Sequence, residues 1–407
     1  MCYLQGGPGM DCRAPQQYPV THTVVERGYE MFYLDQRGTG LSTPTTATTL
    51  QQMHGEDAEA QARYLRLFRA DSIVRDCEAV RLALTEGYPE ERKKWSIMGQ
   101  SFGGFCSITY LSFFPQGLRE SFVFGGLQPL VKGPDEVYRR LYRKVIQRNE
   151  AYYGKFPEDI ARVKTIMDHL KQQKPQSAHT SVDGDEGSVT LPSSGNLTRR
   201  RFRQLGILFG FHGGLDMVHD LVLKTCSELD AFGHLTRPTL SAIDAATSFD
   251  DHLLYAILHE PIYCEGTPSR WSAHRLLEED EEYRTAFALD KPSTSSPLYF
   301  TGETVYPWMF TDYAALRPVR AAAERIAATS SWPALFDERQ LARNEVPVYA
   351  ASYVEDMYVD FDLSMETARK VKGCKVFATN VMFHDAIRSR MDEVVKQAFA
   401  LRDDVLD

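Results

Sequence analysis

The stretch Trp95-Ser-Ile-Met-Gly99-Gln-Ser101-Phe-Gly103-Gly104-Phe-Cys decides the fold. It opens on a short apolar run of strand length, Trp95–Gly99. It then passes into a helical pattern, Phe102 to about Phe114, that stops before Pro115. One turn joins the two, with the spacing G-x-S-x-G. A strand that passes directly into a helix must turn sharply, so small residues are needed two before and two after the serine. A side chain at Gly99 or Gly103 would meet the neighbouring strand or helix. Such a turn lifts the Ser101 hydroxyl above the sheet and aims the Phe102 N–H at a developing oxyanion. Ser101 is the candidate nucleophile.

Working outward, the first 130 residues alternate short apolar runs with amphipathic stretches, the βαβ rhythm of a parallel sheet. Strands are expected at Cys2–Gln5, Met31–Leu34, Trp95–Gly99 and Ser121–Phe124. Gly55–Glu86 carries Ile73, Cys77, Val80 and Leu84 at helical spacing. From Lys132 the rhythm changes to long charged helical patterns, Glu136–Tyr153 and Pro157–Lys174. A Ser/Gly/Asp-rich loop (Ser177–Gly195) follows, then more helix from Arg199 to about Ala288. Strand patterns return at Val346–Ala351 and Cys374–Thr379, on either side of the helical run Ser364–Val371. The expected architecture is a mostly parallel, doubly wound sheet formed by 1–131 and 340–407, with a helical cap of residues 132–339 inserted.

Where a serine sits on such a turn, its partners follow in the order acid, then histidine, each after a late strand. Val346–Ala351 runs into Asp356, and Cys374–Thr379 runs into His384. His384 would take the proton of Ser101 and return it to the leaving group, while Asp356 would fix the imidazole tautomer. Glu355 and Asp360 are rivals for the acid. A second glycine-rich loop, Gln5-Gly-Gly-Pro-Gly9, follows the first strand and offers the other oxyanion donor, Gly7 first and Gly6 second. No HExxH or comparable spacing of ligands occurs, so neither a metal nor another cofactor is expected.

At 407 residues the chain can bury a large core, and a net charge of −9 argues against a nucleic-acid footprint while favouring cationic substrates. Seven scattered cysteines without a CxxC pair read as reduced thiols. The first residues lack a basic segment followed by an apolar one, and no apolar run approaches membrane-spanning length. A cytoplasmic enzyme without a membrane partner is expected.

Gln5-Gly-Gly-Pro-Gly9, Asp35-Gln-Arg-Gly-Thr-Gly40, Gly99-Gln-Ser-Phe-Gly-Gly104 and the late Asp356 and His384 together resemble the prolyl aminopeptidase (proline iminopeptidase) group of α/β-hydrolases. The resemblance runs from residue 2 to about 390 and is looser through the cap. It implies an α/β-hydrolase fold and removal of an N-terminal residue, preferably proline, from small peptides with a free N-terminus. It also implies carboxylates for the substrate ammonium. Glu260, in Leu258-His-Glu-Pro-Ile-Tyr263, and Glu303, in Tyr299-Phe-Thr-Gly-Glu-Thr-Val-Tyr-Pro-Trp308, resemble the segments that bear them. Tyr306, Trp308, Trp271 and Phe102 are candidates for the ring pocket. Asp35 and Arg37 are expected to brace loops near the turn.

Two departures stand out. Gln5 occupies a position where other branches carry histidine. The chain also starts almost inside the first motif, so strands that precede it in relatives are expected to be missing, leaving a sheet edge exposed. The alternatives to the peptidase are an esterase or amidase of the same fold and a catalytically silent binding protein. Haloalkane dehalogenase and epoxide hydrolase chemistry needs an aspartate where Ser101 stands.

Overall fold

The computed structural model describes residues 1–173, 187–290 and 296–403; positions 177–186 of the expected Ser/Gly/Asp-rich loop lie outside them. The strands in chain order are β1 (Cys2–Leu4), β2 (Phe32–Tyr33), β3 (Trp95–Gln100), β4 (Leu118–Phe124), β5 (Val189–Thr190), β6 (Asn196–Leu197), β7 (Val348–Tyr353) and β8 (Cys374–Thr379). Six of them form one sheet in the order β2-β1-β3-β4-β7-β8, and every pairing in it is parallel. This is the α/β-hydrolase fold. β5 and β6 form a separate short antiparallel pair.

β3 and β7 are buried along their whole length, as strands covered by helices on both faces must be, which is why they read as continuous apolar runs. Their side chains alternate between two cores. Ile97, Val123 and Ala350 join a large cluster on one face, while Met98, Phe122 and Tyr349 join a smaller one on the other. The smaller core is closed by the helices Val20–Glu26 and Met391–Asp403, the second through Val394, Val395, Ala398 and Phe399. β2 has only two residues and stands at the sheet edge, where Phe32 is 39% exposed.

The strand expected from Val346 begins two residues later. Pro347 has no N–H to give the ladder, and the Asn344 side chain instead ties Val346 O (2.6 Å) to Lys372 O (2.9 Å). The expected helical stretch from Arg199 to Ala288 is broken into short pieces. Gly233 ends the helix Gly214–Phe232 in a left-handed conformation, and prolines open the next elements at Arg237–Ala246 and Pro261–Tyr263.

The described residues between β4 and β7 are otherwise mostly helical, with helices from Asp135–Lys155 to Glu338–Ala342 joined by loops. Arg69 fastens them to the sheet layer. It is fully buried, paired with Asp71 (3.3 Å), and donates to the carbonyls of Pro261 (2.9 Å), Cys264 (2.6 Å) and Pro333 (2.8 Å). A buried guanidinium survives only when its donors are satisfied in this way. Within the helical segment, Arg201 pairs with Asp244 (2.8 Å) and Asp250 (3.3 Å) and lies 3.7 Å from the Tyr313 ring centroid. The seven cysteines are all unpaired, and no helix among the described residues is long and apolar enough to cross a membrane.

Candidate active site

Ser101 sits between β3 and the elbow helix Phe102–Phe113 with φ 54° and ψ −123°, a strained conformation for a residue with a side chain. Its N–H donates to Phe124 O on the adjacent strand (3.0 Å), and its carbonyl accepts from Gly104 N (2.7 Å). The flanking glycines explain how the turn is accommodated. A Cβ at Gly103 would run into the Leu4 carbonyl of β1, and one at Gly99 into the Gly103 carbonyl.

The loops after β7 and β8 bring Asp356 and His384 to this turn. His384 Nε2 lies 2.9 Å from Ser101 Oγ, and His384 Nδ1 lies 2.7 Å from Asp356 Oδ2. Asp356 is 2% exposed, and its other oxygen accepts the N–H groups of Tyr358 (2.8 Å) and Val359 (3.0 Å). A carboxylate so engaged orders Nδ1–H toward itself and leaves Nε2 to accept from the serine. The rivals serve elsewhere: Glu355 faces Lys144 (3.4 Å), and Asp360 caps the helix Phe361–Lys370 through Leu363 N (2.9 Å). Burial by itself would push the His384 imidazole down. The charge and hydrogen bond of Asp356, with a further contribution from Glu303, outweigh it, so its pKa lies above the ordinary value.

The loop after β1 supplies the facing backbone. Gly6 N–H is already held by the Gln5 side chain (3.1 Å), whereas Gly7 N–H has no acceptor among the described residues. The Phe102 N–H opens the elbow helix, where the first amides lack partners in the helix itself. Gln5 is pinned by Asp11 O (2.8 Å) and the Tyr18 hydroxyl (2.9 Å), and Gln36 donates to Gln5 O (3.0 Å). The DQRG run braces this loop as expected. Asp35 accepts from Cys12 N and Leu41 N, both at 2.8 Å, and Arg37 forms a two-pronged pair with Asp76 (2.6 and 2.5 Å).

A cleft of about 210 Å³ opens above Ser101 and His384. Its apolar wall includes Ile207, Leu208, Phe211, Phe249, Tyr255 and Tyr358. Glu303 also lines it. The Glu303 side chain is 14% exposed, its carboxylate accepts the Tyr255 hydroxyl, and His259 Nε2 stands 3.7 Å from its Oε2. Arg388 reaches the cleft from the short helix that follows His384.

The other expected specificity residues lie away from the cleft. Glu260 is 3% exposed and spends both carboxylate oxygens on Ser272 N (3.0 Å) and Ala273 N (2.9 Å), at the start of the helix Ser272–Glu279. Burial pushes its carboxyl up to about 7, against the pull of those N–H bonds. Tyr306 is buried beside the Tyr142 hydroxyl (3.1 Å) and stacks on Trp308 at 5.5 Å, with Arg200 over the indole at 4.8 Å. Trp271 donates to Glu324 (2.9 Å). Phe102 turns its ring into the core, 6.3 Å from Phe105. These aromatic side chains are apolar enough to read as a pocket, but Tyr306 and Phe102 are buried in the core, and Trp271 and Trp308 pack partly buried against it. The apolar wall residues were not singled out in the sequence. They are scattered over 207–358 with no shared local pattern, and of them only Tyr358, two residues after Asp356, lies close to a recognisable motif.

One group among the described residues has the spacing of metal ligands, Glu158, Asp159 and His219. Arg162 already pairs with both acids (3.4 and 2.8 Å), and none of the three lines the cleft.

No family model matches the chain. A protein of Aspergillus aculeatus named proline iminopeptidase aneH is 44% identical over 407 residues, covering 100% of this chain and 86% of its own length. A proline iminopeptidase of Aeromonas sobria is 37% identical over 406 residues, covering 99% of this chain and 87% of its own. Among solved structures, a bromoperoxidase from Bacillus anthracis aligns at 12% identity and a TM-score of 0.38, over 99% of this chain and 91% of its own.

Proposed function

The chain belongs to the proline iminopeptidase family of α/β-hydrolases, and on that premise we propose that it is a serine aminopeptidase releasing N-terminal proline from small peptides. Ser101 Oγ attacks the carbonyl of the N-terminal residue while His384 Nε2 takes its proton. Asp356 holds the imidazole and stabilises its charged form. The N–H groups of Gly7 and Phe102 receive the oxyanion. His384 then protonates the leaving amine, and water, activated by the same imidazole, releases the acyl group from Ser101.

Recognition of the free N-terminus falls to Glu303. A protonated proline nitrogen brought into an apolar cleft needs a fixed counter-charge, and Glu303 is the carboxylate placed there, held by Tyr255. Phe249 and Tyr255, 5.5 Å apart, offer flat surfaces for the pyrrolidine ring. Glu260 instead fixes the start of the helix Ser272–Glu279. In this reading residues 132–339 form the cap that recognises the substrate N-terminus, over a hydrolytic core of 1–131 and 340–407.

The observation that carries the proposal is the presence of Glu303 in one cleft with Ser101, since an esterase for neutral acyl groups has no use for a carboxylate there. Turnover of proline-4-nitroanilide, alanine-4-nitroanilide and N-acetylproline-4-nitroanilide tests it, with Ser101→Ala as control. Fast release from free proline alone, abolished in the variant, is expected. Equal release from the acetylated substrate would overturn the role of the free amine.

A further inference from the structure

Arg388 takes no part in the chemistry described above, yet its surroundings set it apart from other surface arginines. It is exposed and lines the same cleft as Ser101, Glu303 and His384. It lies four residues beyond His384, on the helix Ala386–Ser389, and its charge is felt at the imidazole. Its side chain has no hydrogen bond or ion pair among the described residues. The nearby Arg390, by contrast, is held by Glu393 at 2.7 and 2.8 Å. The acid closest in sequence, Asp385, engages His212 N (3.0 Å) and Nδ1 (2.7 Å) instead. An unneutralised cation therefore borders the cleft, while Glu303 supplies an anion on the helical wall.

The position of that cation follows the direction of the reaction. His384 must hand its proton to the leaving amine, so the leaving group lies on the His384 side of the scissile bond. In a dipeptide the leaving group is a free amino acid, whose carboxylate is separated from that nitrogen by a single carbon. A guanidinium beside His384 matches such a carboxylate in charge and in its two-pronged geometry. We propose that Arg388 binds the C-terminal carboxylate of the substrate and makes the enzyme selective for dipeptides with a free C-terminus, a proposal that rests on the aminopeptidase reading.

The test compares Pro-Ala, Pro-Ala-amide and proline-4-nitroanilide with the full chain, the Arg388→Gln variant and the Arg388→Lys variant. The unaltered protein is expected to show kcat/KM about five-fold higher for Pro-Ala than for its amide, the upper size of one exposed charge pair. In Arg388→Gln that ratio falls to about one, and Arg388→Lys restores part of it. Damage to the fold would lower both substrates and leave the ratio intact, so an unchanged ratio in Arg388→Gln overturns the proposal. A ratio near one in the unaltered protein overturns it as well. If proline-4-nitroanilide is turned over and both peptides are not, the carboxylate clamp fails while the aminopeptidase stands. If nothing is turned over, both fall.

Discussion

The two walls of the cleft are built differently. Ser101, Asp356 and His384 stand within a few residues of the ends of β3, β7 and β8, three strands of one sheet whose ladder sets their separation. The facing wall has no such frame. Ile207, Phe249, Tyr255 and Glu303 come from separate short helices and loops, brought together by packing and by buried pairs such as Arg201 with Asp244. On the proposed reading, hydrolytic chemistry rests on a regular scaffold, and recognition rests on an irregular one. The contrast extends to the two glutamates. Both lie in apolar sequence, but one faces the cleft and the other caps the start of a helix.

Separating the walls by mutation would sharpen that contrast. Asp356→Asn should have the largest effect. An amide facing Nδ1 favours the wrong tautomer, so kcat should fall about 10⁴-fold, and labelling by a fluorophosphonate should slow with it. Glu303→Gln should lower kcat/KM for proline-4-nitroanilide by about 10²-fold, the scale of losing one desolvated charge partner. Fluorophosphonate labelling, which needs no ammonium, should stay within a few-fold. If labelling falls as far as turnover, the walls do not act separately.

Glu260→Gln should act on stability before activity, costing about 1–3 kcal/mol by leaving a helix-start N–H unpaired. Its pH dependence has a definite sign. Because the carboxyl is raised from 4.5 to about 7, ionising it costs the folded state, so the unaltered protein loses stability as pH rises through that window. The variant lacks that loss, and urea unfolding should show its deficit larger at pH 5 than at pH 8. The smallest effect concerns His384. Glu303 helps to raise its pKa, and the neutral imidazole is the active form. In Glu303→Gln the acid limb of fluorophosphonate labelling should therefore move to lower pH. An unmoved acid limb would mean that the two groups do not communicate.

Much of the hydrolytic wall was legible because each of its residues has a local signature. Gly99 and Gly103 are required by backbone contacts close in sequence or in the adjacent β1, and strand-then-loop patterns pointed to Asp356 and His384. The helices Val20–Glu26 and Met391–Asp403 left weaker traces, since their short apolar faces acquire meaning only against the second face of the sheet. The two-residue β2, at the sheet edge, is shorter than the run Met31–Leu34 promised.

The amino-acid sequence by itself determined the parallel sheet, the sharp turn at Ser101 and the order of its partners. These depend on periodicity and on steric demands that act over a few residues. Only the tertiary structure decided that Glu303 rather than Glu260 faces the cleft, that Tyr306 is buried in the core with Trp308 packed against it, and that Arg388 lines the cleft. A glutamate, an aromatic ring or an arginine has the same local signature whether it meets substrate or protein, and its partners lie up to hundreds of residues away.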